Sequence, residues 1–238
     1  MSARFEELGW QRTGMGEISL RRRFEGTAGV DVYEVKLGDE YLMSSLFTVA
    51  ERELARLGLA RTEGGELDVV VGGLGLGYTA QEVLRDNRVR SLTVVEYSAA
   101  VIDWHNRDLL PDTAGLTADS RISVVCTDFF AAAASTTGFD PERPGRTYDA
   151  ILLDIDHSPR HVLHQPHTAF YTWEGMRALS AHLAPRGTFA LWSDDAPDDQ
   201  FLSILESVFS DVEAEVVPFD NPLTRGRSTN TIYLAGRS

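Results

Sequence analysis

Along the first 47 residues, apolar and polar positions alternate with the short period of extended chain. Residues 16–24 (GEISLRRRF) and 30–46 (VDVYEVKLGDEYLMSSL) carry this pattern on either side of the turn-forming segment EGTAG. They predict short strands. The period then changes: in TVAERELARLGL, Val49, Leu54 and Leu57 stand among charges, with Thr48 placed to cap a helix and Gly58 to stop it.

From Leu67 onward, short apolar runs alternate with amphipathic ones. The runs LDVVVGG, SLTVVEY, RISVVCTD, YDAILLDID and GTFALWSDD read as five buried strands. Between and after them, helices are predicted at residues 79–86, in SAAVIDWHNRDLL behind a Ser98 cap, in FFAAAAS, in TWEGMRALSAHLA and in PDDQFLSILESVF. The chain closes with two strands, VEAEVVPF and STNTIYLAGR, joined by DNPLTRGR, a link too short for a helical crossover. Alternating strands and helices imply right-handed crossovers and a mostly parallel sheet covered on both faces. The closing pair must run antiparallel. The expected fold is therefore α/β, a Rossmann-like, doubly wound sheet of seven strands ending in an antiparallel hairpin. A small β-rich subdomain with its linking helix (residues 1–64) precedes the main domain (residues 65–238). This order resembles the class I S-adenosylmethionine-dependent methyltransferase fold.

Composition narrows the functional classes. The 238 residues carry a net charge of −14, and Lys36 is the only lysine among 22 basic residues. Such a surface cannot displace counterions from phosphates, which argues against nucleic acid as partner. It suits solubility and admits a cationic substrate. A single cysteine, Cys126, excludes an internal disulfide framework. With neither a signal-like N-terminus nor an apolar run of membrane-spanning length, the expectation is a cytoplasmic protein without a membrane partner.

The chemistry starts at Gly72-Gly73-Leu74-Gly75-Leu76-Gly77, directly after the first strand of the main domain. Glycines there permit a tight strand-to-helix turn and let a ligand touch the main chain. The dinucleotide pattern G-x-G-x-x-G fails because its last position falls on Tyr78, and no Gly-Lys-Ser/Thr phosphate loop is present. G-x-G-x-G does match, at Gly73, Gly75 and Gly77. Glu96 ends the second strand 19 positions after Gly77, where a carboxylate can accept both hydroxyl protons of a ribose. Asp128 ends the third and is placed to accept from an adenine amino group, with Phe129 against the ring. Three consecutive strand ends thus predict an adenosyl site.

With these residues placed, nearly the whole chain resembles the spermidine synthase-like family. VVVGGLGLGYTAQEVLR and VVEYSAAVIDWHN are similar to that family's cofactor half, and YDAILLDIDHSP sits where the family has Asp-Ser-Ser-Asp-Pro. The N-terminal strands followed by ERELARLGL resemble its small β-domain and the helix after it. The resemblance implies a sulfonium nucleoside cofactor and a homodimer. Three departures stand out. The family's Gly-Gly-Gly-Asp-Gly-Gly loop, whose Asp engages the aminopropyl end of decarboxylated S-adenosylmethionine, has Gly75 at the Asp position. Its Tyr-His-Glu motif falls near AERE, residues 50–53, where only the Glu remains, and its Gln is replaced in LMSS. A glycine in place of the Asp offers a backbone N–H and open space, which suits the carboxylate of intact S-adenosylmethionine.

The reacting end is expected in DIDHSPRHVLHQPH, residues 154–167. Asp154, at the tip of the fourth strand, is the expected contact to acceptor or cofactor; Asp156 and His157 are the expected acid–base pair. His161, His164 and His167 also fall in this segment, but Pro159 and Pro166 break helical ligand spacing and no Cys accompanies them, so no metal is expected. Trp192 is either core or pocket wall, Asp194 and Asp195 begin a helix or shape the acceptor pocket, and Arg225 and Arg227 sit in the terminal hairpin loop. Phe170, Tyr171 and Trp173 read as a helix start packed on the core. The leading expectation is methyl transfer from S-adenosylmethionine to a small-molecule acceptor, a cationic amine among the candidates. The alternatives are aminopropyl transfer from the decarboxylated cofactor and a non-catalytic nucleoside-binding protein.

Overall fold

Two sheets organise the chain in the computed structural model, which describes residues 5–14 and 16–237. The first is an antiparallel meander of β1 (Phe5–Thr13), β2 (Gly16–Glu25), β3 (Val30–Leu37) and β4 (Glu40–Ser44). Two of these strands escape a reading of apolar period. β1 is mostly exposed and carries little alternation, while the single run 30–46 is cut by the turn at Gly38 and Asp39. Buried Ile18, Leu20 and Val35 join the sheet to the main core, and Gly9 of β1 lies so close to the Trp104 indole that a Cβ there would sit 2.3 Å from Nε1.

α1 (Val49–Arg61) follows, and here the expected stop at Gly58 is corrected. The helix runs through Gly58 because the glycine faces the large sheet; a Cβ there would meet Leu152 Cδ2 at 2.6 Å. Close packing, not termination, requires the missing side chain.

The main domain alternates as expected: β5 (Leu67–Gly72), α2 (Tyr78–Arg85), β6 (Val89–Glu96), α3 (Ala99–Asn106), β7 (Ile122–Cys126), α4 (Phe129–Ala134), β8 (Tyr148–Leu153), α5 (Trp173–Ser180), β9 (Leu183–Ser193), α6 (Asp199–Glu206), β10 (Ser210–Asn221) and β11 (Gly226–Gly236). Ser98 caps α3 as predicted, accepting from the Val101 amide. The seven strands lie in the order β10-β11-β9-β8-β5-β6-β7, with β5 through β9 parallel and β11 antiparallel to both its neighbours. This is the doubly wound architecture with its closing hairpin. Successive residues of β5 serve opposite cores: Val69 and Val71 face the side of α1, α2 and α3, Val70 the aromatic side of Phe129, Phe189 and Phe201. Burial on both faces explains its unbroken apolar run. Among the described residues no helix is long and apolar enough to cross a membrane. Strand order reverses between β5 and β8, so a crevice opens above their carboxyl ends.

Candidate active site

The glycine loop leaves β5 in a conformation that side chains resist. Gly73 has φ +92° and Gly75 φ +49°. A Cβ on Gly73 would lie 2.2 Å from the Asp154 carbonyl oxygen, and one on Gly75 3.0 Å from the Met43 sulfur. The first fit lets the loop lie against the end of β8. The second lets β4 of the small sheet close over the loop. Gly77 leads directly into α2.

Glu96 holds this loop in place. Its carboxylate accepts from the amides of Leu74 (2.9 Å) and Ser98 (2.7 Å), and the Gly75 amide also faces it. Burial raises its pKa, with the amides opposing. Asp128 caps α4, its Oδ1 accepting from Phe130 N at 2.8 Å and Ala131 N at 3.2 Å. Phe129 is only 2% exposed, stacked on Phe139, and forms part of a cavity floor. That cavity, about 200 Å³, also takes in Gly73, Glu96, Asp128, Phe130 and His164. The structure therefore brings Gly73, Glu96, Asp128 and Phe129 to one hollow.

A larger cavity of about 420 Å³ adjoins it, walled by Tyr41, Glu51, Tyr78, Trp192, Asp194 and Phe219. Leu42, Met43, Gly75, Asp154 and Ile155 line both hollows, so they form the junction. Asp154 accepts a 2.6 Å hydrogen bond from the Thr79 hydroxyl of α2. Burial raises its pKa to about 6 against that hydrogen bond. Glu51 enters the same space from the first turn of α1. Burial first, and the Asp154 charge second, push its pKa up to about 8, with Arg52 opposing. Arg52 gives its guanidinium elsewhere, to Gln81 and Glu82 at 3.1 and 3.2 Å, across the Tyr78 ring. Among the described residues no Arg, Lys or His forms an ion pair with either carboxyl.

The other expected residues fall in distinct places. His157 lines the larger cavity between two acids, Nε2 3.3 Å from Glu40 and Nδ1 3.8 Å from Asp194. Burial raises the pKa of Asp194. Asp156 lies in neither cavity and has no exposed side-chain surface. Its carboxylate accepts from Leu163 N (2.8 Å) and Tyr171 OH (2.9 Å) and meets His167 Nδ1 at 2.9 Å. With its oxygens committed inward, Asp156 clamps the loop that follows β8 and does not reach the larger cavity, which Glu51 lines. His161 pairs with Asp195 at 2.9 Å, while His164 and His167 border the smaller cavity. No group of three or more His, Cys, Asp or Glu among the described residues is arranged to hold a metal. Trp192 is both core and wall. Asp194 and Asp195 precede α6, whose cap is Asp198. Phe170 and Tyr171 are core, whereas Trp173 is exposed under Arg177. Arg225 and Arg227 line neither cavity; both are exposed at the hairpin tip.

Glu51 is the residue a sequence reading does not single out. Its signal lay in AERE, whose other acid, Glu53, turns away to pair with Arg56. Strand-end logic cannot reach a helix that comes before the glycine loop.

The family model described as spermine/spermidine synthase domain matches residues 48–203, well over half of the chain. The chain belongs to that family. Other members share part of its length: the polyamine aminopropyltransferase of Oceanobacillus iheyensis is 30% identical over 132 residues, 55% of this chain and 23% of that protein. The polyamine aminopropyltransferase of Sulfolobus acidocaldarius is 28% identical over 163 residues, 66% of this chain and 50% of that protein. The alignments thus span half or less of these curated relatives. A solved spermidine synthase in complex with the transition-state analogue AdoDATO superposes with a TM-score of 0.74 at 16% identity, over 98% of this chain and 74% of that one. It shows the shared fold.

Membership in the spermine/spermidine synthase family corrects the leading expectation of methyl transfer from intact S-adenosylmethionine: both curated relatives are named aminopropyltransferases. The site supplies the physical reason. The Gly75 amide, expected to meet a substrate carboxylate, already faces Glu96. The acid missing at position 75 does not leave the site without carboxyls, because Asp154 lies at the junction and Glu51 lines the larger cavity beside it. A carboxylate-bearing cofactor arm would meet the Asp154 carboxylate at that junction.

Proposed function

We propose that this chain transfers an aminopropyl group from decarboxylated S-adenosylmethionine to a small amine. One observation carries the reading: two half-buried carboxyls, Asp154 at the junction of the cavities and Glu51 in the larger one, stand without a basic partner. Half-buried acids of this kind favour a cation beside them.

The residues present fit the nucleoside. The hollow beside Gly73 has carboxylates at Glu96 and Asp128 for sugar and base, and the bare backbone of Gly75 lets Met43 close over the loop at the junction. Bound there, the sulfonium supplies an activated methylene carbon and a neutral thioether as leaving group. The acceptor nitrogen bonds to that carbon while the carbon–sulfur bond breaks, its electron pair going to sulfur. Asp154 orients the incoming ammonium and accepts the proton it must shed before it can attack. Thr79 fixes the carboxylate that does this. Tyr41, Tyr78, Trp192 and Phe219 wall the acceptor space and keep water from it. A fold shared with a spermidine synthase that binds AdoDATO, and relatives named aminopropyltransferases, support the assignment.

The test is direct. Purified protein is incubated with 1,4-diaminobutane and either decarboxylated or intact S-adenosylmethionine, and products are followed by mass spectrometry. Methylthioadenosine and a triamine should form from the decarboxylated nucleoside. No release from it with any diamine or triamine, or faster turnover of the intact cofactor, refutes the proposal.

A further inference from the structure

Glu51 stands on a face of α1 where a second carboxyl beside Asp154 is costly unless something offsets it. Both groups line the same cavity, Asp154 is satisfied only by the Thr79 hydroxyl, and no other residue's side chain pairs with Glu51. Charged or titratable groups reach this space from each neighbouring element. They are Tyr78 from α2, Tyr41 from β4, and His157 and Asp194 from the segments after β8 and β9. β10 and β11 add only Phe219, Asn221, Ser228 and Asn230. The one guanidinium nearby, Arg52, is committed to Glu82 and Gln81. The hydroxyl of Tyr78 is likewise committed, donating to Asp112 at 2.9 Å.

Resting on the aminopropyl-transfer reading, we propose that Glu51 and Asp154 form a seat for one ammonium group of the acceptor, that a single proton occupies this seat when it is empty, and that amine binding expels that proton. Two half-buried carboxyls on one cavity, neither with a basic partner, make the second ionisation costly until a cation enters. An entering ammonium supplies the cation, and the proton on Glu51 leaves to solvent. During transfer the ammonium gives one proton back to the pair as its nitrogen bonds to carbon. The seat is then recharged for the next acceptor once product leaves. The raised pKa of Glu51 agrees with an empty site that holds a proton near neutrality.

Calorimetric titration of the full chain with 1,3-diaminopropane, 1,4-diaminobutane, 1,5-diaminopentane and spermidine, in buffers of different ionisation enthalpy near pH 7, counts protons released. The wild type should release up to about one proton per amine bound, and affinity should rise by roughly tenfold per pH unit between about 6 and 8, since amines stay charged there. Glu51→Gln should bind without proton release and lose that pH dependence, while Glu53→Gln, on the far side of α1 against Arg56, should behave as wild type. Proton-neutral binding by the wild type, undiminished release by Glu51→Gln, or no binding of any of the four amines overturns the proposal. Proton release without transfer would uphold the seat and refute the aminopropyl reading. Transfer with proton-neutral binding would do the reverse.

Discussion

Asp154 and Glu51 reach the same cavity by routes of unequal visibility. Asp154 ends β8 at the point where the strand order reverses, so its position follows from counting strands, and a charged residue at a strand tip is legible in sequence. Glu51 is one of four acidic or basic side chains in the stretch from Glu51 to Arg56, and nothing local distinguishes it from Glu53. Only the contact of α1 with the sheet does. Two outcomes follow at this scale. Asp154→Asn should lower the transfer rate by about 100-fold or more while leaving nucleoside affinity within a few-fold, as read by single-turnover kinetics and calorimetry. The pH dependence of stability should carry the sign of raised carboxyl pKa values. Glu51 titrates near 4.5 when unfolded and about 8 when folded. Between those values the folded state holds a proton that the unfolded state has lost, so the amine-free protein should lose stability as pH rises through about 8. Thermal melts from pH 5 to about 8.5 should show this fall, and Glu51→Gln should flatten it.

At the scale of elements, the site depends on how closely α1 approaches the sheet. Gly58 faces Leu152 and Ala190, and the distances of 2.6 and 3.4 Å from its absent Cβ leave no room for even a methyl group. Gly58→Ala should therefore push α1 outward, cost about 1–3 kcal/mol of stability and reduce transfer by displacing Glu51. Urea denaturation alongside steady-state kinetics measures both effects; an unchanged midpoint would show that the helix has slack. Local sequence misreads this glycine as a helix stop because helix-ending and close-packing glycines look alike without the partner surface. The loop after β8 shows the same limit. Its three candidates Asp154, Asp156 and His157 suggested a catalytic cluster, yet Asp156 faces inward to Tyr171 and His167 and only Asp154 and His157 line the cavity. A loop lacks the fixed period that tells inward from outward.

Across the whole molecule, a net charge of −14 surrounds a cavity whose acids Glu51 and Asp154 lack basic partners. Such a field draws a multiply charged amine inward, so kcat/KM should fall by roughly tenfold as ionic strength rises from about 20 to about 300 mM, with kcat nearly constant. A parallel fall in kcat would instead locate the salt effect in the chemical step. The alternation of strands and helices, the antiparallel closing hairpin, the glycine loop and its flanking acids at Glu96 and Asp128 were all determined by sequence alone. They rest on local periods and on main-chain requirements that a residue type either meets or fails. What only the tertiary structure decided is the charge at the reacting junction. Glu51 and Asp154 belong to different elements, their mutual repulsion exists only once α1 packs across the end of β8, and their proton affinities are set by the water that folding removes. The absent acid at Gly75 suits a carboxylated cofactor when the loop is taken by itself, and the packing of a distant helix adds a nearby carboxyl that the loop does not show.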